Sequence, residues 1–299
     1  MFTGCGTALV TPFARDFTLD EETLRKLIQR QIAEGIDFLV PCGTTGESPT
    51  LTRSEHLRVV EITVEEAHGK VPVLGGAGGY NTAEVIALAQ ELGHIGVDGI
   101  LSVTPYYNKP TQEGLYQHYR AIAVSAGLPI VVYSVQGRTG VNVEPATLAR
   151  LAKIDNIIGV KEASGSLGQI ASIINRVPPE FLVLSGDDSV ALPVVALGGR
   201  GVISVVSNQI PGEMTQLVRC CLDGDFAAAR ALQRQYLPLM EVNFIESSPM
   251  PVKAAMGLMG LLEPVFRLPM VPPKPENLEK IASVLSQLGL LSRSVPVAN

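Results

Sequence analysis

The chain has 299 residues, 46% of them hydrophobic, with no tryptophan and a formal net charge of −6 at pH 7, so it holds ample apolar material for one large domain or two ordinary ones. The acidic balance, with a pI near 5.3, excludes the basic footprint of a nucleic-acid binder and the polybasic patch that anionic membranes attract. A soluble globular protein acting on small molecules is the expectation.

Cys5, Cys42, Cys220 and Cys221 form no C-x-x-C and no disulfide framework, which suits a reducing cytoplasm. The opening M-F-T-G-C-G-T-A-L-V-T-P-F lacks the basic start and long apolar core of a secretory leader, and no apolar run reaches the roughly 18 residues of a membrane span. A cytoplasmic location is expected.

Apolar, β-branched runs of strand length recur at Thr7 to Val10, Phe38 to Val40, Val71 to Leu74, Gly99 to Val103, Ile130 to Tyr133, Ile157 to Val160, Phe181 to Leu184 and Val202 to Val206. They follow one another at roughly 25 to 30 residues with a helical pattern between each pair. Thr52 to Glu55 and Asn81 to Glu84 fit the capping-box pattern, and Gly35, Gly69, Gly93 and Gly127 sit where helices should end. Strand alternating with helix means parallel pairing. Eight units in about 210 residues is the length of a closed (β/α)8 barrel, and an open doubly wound sheet would carry a Gly-rich dinucleotide loop after its first strand. Here that strand leads into V-T-P-F. The glycines of G-G-A-G-G-Y-N at 75–81 miss the G-x-G-x-x-G spacing and read as a tight turn, so no nucleotide cofactor is indicated.

After Val206 the rhythm stops. Met214 to Leu222, Phe226 to Met240, Val252 to Met259 and Glu276 to Gln287 read as helices, punctuated by prolines from Pro249 to Pro275. The expected division is a (β/α)8 barrel carrying the site over 1–210 and a helical region over 211–299, its last residues, 292–299, frayed.

One residue breaks this apolar pattern. In I-I-G-V-K-E-A-S-G at 157–165, Lys161 follows a run that reads as a strand buried on both faces. Burial disfavours the charged form of an amine and frees it as a nucleophile. A bland alternative is that its side chain pairs with Glu162 or reaches out at the strand end. The other seven lysines, Lys26, Lys70, Lys109, Lys153, Lys253, Lys274 and Lys280, fall in helices or loops where solvation is expected.

A barrel gathers its site at the C-terminal ends of its strands. Strand two delivers Gly43-Thr44-Thr45-Gly46-Glu47, strand four Thr104-Pro105-Tyr106-Tyr107-Asn108, strand five Tyr133 to Arg138, strand six Lys161 and strand seven Gly186-Asp187-Asp188. An amine, three phenols, a guanidinium and two adjacent hydroxyls are thus expected at one mouth, a set suited to a keto acid. Lys161 can condense with a ketone to a Schiff base, an electron sink that lets the adjacent carbon deprotonate to an enamine. A tyrosine can pass protons and a threonine relay them. Arg138 offers a bidentate fork for a carboxylate, and backbone N–H groups of the Gly43 to Thr45 turn suit a second one. Individually these residues have structural readings too: Tyr133 as a core aromatic, Tyr106 and Tyr107 as interface aromatics, Thr44 and Thr45 as helix caps. The four histidines show no metal spacing, and there is no G-x-S-x-G for a serine hydrolase.

These motifs resemble the dihydrodipicolinate synthase and N-acetylneuraminate lyase family of class I aldolases. The resemblance runs from M-F-T-G to the C-terminal helices and is carried by G-T-T-G-E at 43–47, T-P-Y-Y-N-K-P at 104–110, Tyr133 with R-T-G at 138–140, G-V-K-E-A at 159–163, S-G-D-D at 185–188 and G-V-I-S-V at 201–205. The paired threonines and the R-T-G arginine look like the synthase branch. The resemblance implies that Lys161 forms a Schiff base with pyruvate, and that Tyr133, Thr44 and Tyr107 form a proton relay, Tyr107 reaching in from a neighbouring subunit. It also implies that Arg138 holds the carboxylate of L-aspartate 4-semialdehyde and Thr45 that of pyruvate, with Gly186 and Ile203 shaping the pyruvate pocket. The product would be 4-hydroxy-tetrahydrodipicolinate, made without metal or other cofactor in a homotetramer of tight dimers. The open alternatives are another 2-oxo-acid aldolase of the group and a non-catalytic barrel that binds a small acid.

Two departures from the family pattern stand out. Ser134, Gln136 and Gly137 replace the usual Y-N-V-P-x-R context before Arg138, removing a proline that would restrict the loop. At the positions where lysine-inhibited members bind lysine, Ser48, His56, Glu84 and Tyr106 match, whereas Pro49, Arg53 and Tyr80 replace Ala, His and Asn. A cation at Arg53 and bulk at Tyr80 oppose an ammonium ligand, so lysine inhibition is expected to be weak or absent.

Overall fold

The computed structural model describes residues 1–291, so the expected frayed end at 292–299 lies outside the described residues. Eight strands alternate with helices: β1 (Gly4–Ala8), α1 (Glu21–Ala33), β2 (Phe38–Val40), α2 (Arg53–Ala67), β3 (Leu74–Gly76), α3 (Thr82–Ile95), β4 (Gly99–Val103), α4 (Gln112–Ala126), β5 (Ile130–Ser134), α5 (Gln136–Thr139), α6 (Pro145–Leu151), β6 (Ile157–Glu162), α7 (Leu167–Ile174), β7 (Leu182–Ser185), α8 (Ala191–Ala196) and β8 (Gly201–Ser204). Then come α9 (Pro211–Leu222), α10 (Phe226–Val242), α11 (Met250–Leu258) and α12 (Pro275–Gln287). All strand pairs are parallel, in the order β2-β1-β8-β7-β6-β5-β4-β3. The ring closes where Leu39 bridges Val73 and the Gly76 N–H donates to the Pro41 carbonyl at 3.0 Å. This is a (β/α)8 barrel.

Local chemistry accounts for the helix ends. Thr52 and Glu55 form a full capping box on α2, satisfying two otherwise unpaired N–H groups. The expected second box is not one: Asn81 accepts from the Ala83 N–H and its amide holds Glu84, so only one direction of the exchange is made. Gly127 caps α4 as expected, but Gly93 lies within α3, which runs on to Gly96. There a φ of 101° lets the Gly96 N–H reach the carbonyls of Leu92 and Gly93, a left-handed cap that glycine adopts without steric cost. Gly75 and Gly76 are strand residues rather than a turn. A Cβ on Gly76 would stand 2.1 Å from the Cys42 carbonyl oxygen, so close approach of the β2 end explains the missing side chain.

Two apolar layers hold the barrel. Val131, Leu101, Leu74, Phe38, Ala8, Leu184 and Ile203 fill the interior, while Ile100, Ile130, Val132, Ile157 and Val160 face the helices. In β6 the alternation between them is broken once. Ile130 pairs with Ile157, yet Val131 pairs with Gly159, so one extra residue, Ile158, enters β6 as a bulge. Ile157 faces the helices, and strict alternation would have turned Lys161 the same way. The bulge re-aims it, and Lys161 pairs with Tyr133 on the inner face. Gly159 allows the strand to settle there, since its Cβ would meet Leu182 at 2.6 Å.

After β8, α9 packs on β1. Leu239, Met240, Ile281 and Leu285 of α10 and α12 belong to the same core as the barrel helices. Among the described residues no helix is long and apolar enough to cross a membrane.

Candidate active site

At the C-terminal mouth a cavity of about 170 Å³ is lined by Lys161, Tyr133, Thr44, Thr45, Arg138 and Gly186, together with Ala163, Asp187, Phe244 and Ser248 among others. A second cavity, of about 380 Å³, shares Thr44, Tyr133, Val135 and Arg138 and extends past Ser48, His56 and Tyr106. Lys161, Tyr133, Tyr106, Thr44, Thr45, Arg138 and Gly186 thus meet across these two cavities, although they come from five separate strands.

Lys161 is 5% exposed, and its Nζ lies 4.3 Å from the centroid of the Tyr133 ring. Among the described residues no carboxylate pairs with it. Glu162, the bland partner, faces the opposite side of β6, where it accepts from Gln169 Nε2 at 2.7 Å and from the Ser164 N–H at 3.2 Å. Gln169 in turn exchanges hydrogen bonds with Asn142 at 2.8 and 3.0 Å. This partly buried network satisfies the carboxylate behind the site and leaves the amine facing the cavity.

The Thr44 turn is tightly specified. The Gly46 N–H donates to Gly43 and the Glu47 N–H to Thr44, and Thr11 Oγ1 donates to the Gly46 carbonyl at 2.6 Å. A short 3-10 turn at Ser48–Thr50 separates it from α2, so the threonines do not cap that helix; Thr52 does. On the opposite wall α5 forms one helical turn, in which Thr139 Oγ1 donates to the Val135 and Val141 carbonyls. Arg138 Nη2 donates to the Ser248 carbonyl at 3.2 Å.

Some expected residues are elsewhere. Tyr107, in the turn after β4, is 89% exposed and lines neither cavity, so a single chain brings Tyr133 and Tyr106 to the mouth rather than three phenols. Ile203 is fully buried in the barrel interior, not on the cavity wall. Of the matching lysine-site positions Ser48, His56 and Tyr106 line the larger cavity, whereas Glu84 is exposed on α3. His56 is committed to the Gly76 carbonyl at 2.8 Å. Arg53 is paired with Glu91 at 2.8 Å, and Tyr80 packs edge-on to Tyr106, their centroids 5.0 Å apart. No group of three or more metal-ligating side chains is gathered among the described residues.

Other contributors were not foreseen. Phe244 and Ser248 reach the cavity from the segment between α10 and α11, a contact that no local pattern encodes. Asp188, expected at the mouth with Gly186, is instead buried beyond the end of β7 and accepts from the Val205 and Val206 N–H groups at 3.0 and 2.9 Å, bracing the end of β8. Lys253, expected in solvent, is completely buried in α11 and bonds Glu47 at 2.6 Å. Its neighbours Val252, Ala254, Ala255 and Met256 are apolar, the same signal that singled out Lys161.

A lone amine in an apolar barrel, beside a phenol and facing paired hydroxyls and a guanidinium, is the equipment of a class I aldolase, which activates a keto acid as its Schiff base. The chain belongs to the dihydrodipicolinate synthetase family, whose model matches residues 1–288. It is 54% identical over 292 residues to the 4-hydroxy-tetrahydrodipicolinate synthase of Koribacter versatilis (strain Ellin345), covering 97% of each chain. Its fold matches the dihydrodipicolinate synthase of Aquifex aeolicus with a TM-score of 0.96 at 42% identity, over 98% of this chain and 100% of that one. It also matches the chloride-inhibited dihydrodipicolinate synthase of Acinetobacter baumannii complexed with pyruvate, with a TM-score of 0.96 at 38% identity, over 97% of this chain and 100% of that one.

Burial raises the Asp188 carboxyl from its ordinary 3.8 to about 6, against the pull of its hydrogen bonds. Between those values the folded protein holds the proton that the unfolded chain has released, so this group makes stability fall as pH rises through the window. Asp188→Asn, which keeps a carbonyl oxygen for the two N–H groups, should remove that component. Thermal melts from pH 4 to 6 check it, and an unchanged pH slope would contradict the assignment.

Proposed function

We propose that this chain condenses pyruvate with L-aspartate 4-semialdehyde to give 4-hydroxy-tetrahydrodipicolinate through a Schiff base on Lys161. The observation that carries this is the inward-facing Lys161 Nζ against Tyr133 in a cavity walled by Thr44, Thr45 and Arg138. Lys161 Nζ adds to the keto carbon, water leaves, and the cationic imine acidifies the adjacent methyl group. Loss of one methyl proton gives the enamine, whose carbon attacks the aldehyde while the new alkoxide takes a proton. The amine of the condensed chain then closes onto the imine carbon and displaces Lys161.

Tyr133 is the proton carrier in this reading, supported by its place beside Lys161, and Thr44 links it to a second phenol. Thr45 and the backbone of its turn take the pyruvate carboxylate, with Gly186 keeping that wall low: a Cβ there would meet Ala163 at 2.6 Å. Ile203 supports the floor from beneath. Arg138, steadied by the Ser248 carbonyl, takes the carboxylate of the aldehyde substrate. The reaction is placed in the cytoplasm, in the biosynthesis of diaminopimelate and lysine, with no cofactor.

Borohydride added with pyruvate should leave a covalent adduct on Lys161, located by peptide mass, and Tyr133→Phe or Thr44→Val should lower turnover by about 10²-fold or more. An unmodified Lys161 would sink the assignment. Consumption of pyruvate with a different aldehyde, and not with aspartate semialdehyde, would favour another aldolase of the family.

Tyr107 completes the relay from a neighbouring subunit, in a homotetramer built from tight dimers; its exposure in the single chain supports this. Co-expressed Lys161→Ala and Tyr107→Phe chains should recover about a quarter of wild-type turnover, because half the dimers are mixed and each mixed dimer rebuilds one site. Recovery no better than the separate variants would refute the exchange.

Lysine should inhibit turnover weakly or not at all. Tyr80 packed on Tyr106 supports this, while the Glu91 partner offsets the charge of Arg53, so obstruction rather than repulsion is the main cause. Titration of turnover with lysine, at levels that shut down sensitive relatives, tests the point.

A further inference from the structure

The turn that carries Thr44 and Thr45 is bracketed by two residues in an unfavourable conformation. Cys42 has φ 55° and Glu47 φ 54°, both left-handed and neither glycine. Such residues persist where surrounding contacts over-determine them. Cys42 is locked by Gly76, which lies against its carbonyl with no room for a side chain. Glu47 is locked from the far end of the sequence. Its Oε1 accepts from Lys253 Nζ at 2.6 Å, and that ammonium also donates to the Val265 carbonyl at 2.7 Å. The ammonium lies 4.4 Å from the Phe13 ring centroid and 5.4 Å from that of Phe266. Both partners are essentially removed from solvent.

We infer that the buried Lys253–Glu47 pair is a positioning device for the substrate turn, by which α11 holds Thr44 and Thr45 in their working geometry. The inference rests on the reading of the turn as the pyruvate and relay wall. Lys253 touches neither cavity; it acts through Glu47, which ends the turn and begins the 3-10 segment after it. A fully buried ion pair is a poor means of stabilisation, because desolvation offsets most of its attraction. Its directional value is greater: one ammonium with two oxygen acceptors and aromatic faces around it admits few placements of the Glu47 carboxylate. Without that anchor Glu47 can leave its left-handed state, and the preceding hydroxyls shift with it. Arg138 rests on the main-chain carbonyl of Ser248, just before α11, and not on the Lys253 or Glu47 side chain.

The test compares Lys253→Met and the double variant Lys253→Met/Glu47→Gln with the unmutated protein, each first checked for folding by circular dichroism. The double variant leaves no unpaired charge buried, so it remains informative if the single variant does not fold. The unmutated protein must first form the borohydride adduct with pyruvate on Lys161, which tests the function separately. Given that, the folded variants should show the KM for pyruvate raised about tenfold or more and slower adduct formation, as expected when a site is displaced by a fraction of an ångström. The KM for the aldehyde should stay within about threefold, since Arg138 keeps its own support. A folded variant with a lower Tm but unchanged pyruvate KM and adduct rate would reduce the pair to a structural role and overturn the inference.

Discussion

The parallel pairing of β5 with β6 is the constraint on which the site depends. Side chains alternate across a strand with a period of two, so a register shifted by one residue exchanges the faces of everything beyond it. The bulge at Ile158 makes that shift once, between Ile157 and Gly159. Beneath it, Ile157 packs against the helices as an ordinary barrel residue. Above it, Lys161 and Tyr133 stand side by side within the barrel, while Glu162 turns to its own network behind the sheet. The arrangement separates the amine from the one carboxylate next to it in sequence, which would otherwise compete for its charge.

The mouth is held by contacts spread widely along the chain. The Thr44 turn keeps two left-handed residues in place through Gly76 on one side and Lys253 on the other. The segment between α10 and α11 adds Phe244 and Ser248 to the cavity. The C-terminal helices therefore do more than cover the barrel: they share its core and reach its mouth. This makes the boundary between barrel and appendage a matter of topology rather than of independent units.

Much of this was legible in advance. Eight β-branched runs at a steady interval are enough to specify a parallel barrel, because each run is long enough for one strand and each interval for one helix. The same rhythm places Lys161, Tyr133, Thr44, Arg138 and Gly186 at strand ends, and the fold sends strand ends to one mouth. Errors fell where local pattern and tertiary contact disagree. Gly93 looked like a helix stop but the left-handed cap lies at Gly96. Gly75 and Gly76 looked like a turn because glycine marks both turns and close backbone approach. Lys253 looked solvated because helix lysines usually are, although its apolar neighbours carried the same warning as those of Lys161.

The sequence by itself determined the class of fold and the chemical inventory, since periodicity and residue type are properties of neighbouring residues. Tertiary structure decided which way each group points and what it meets. The β6 bulge, the Asp188 brace on β8, the Lys253–Glu47 pair and the outward place of Tyr107 all depend on residues far apart in the chain, up to 206 positions for the buried ion pair. Burial is set by what the folded chain stacks over a residue, and that is known only once the distant segments have met.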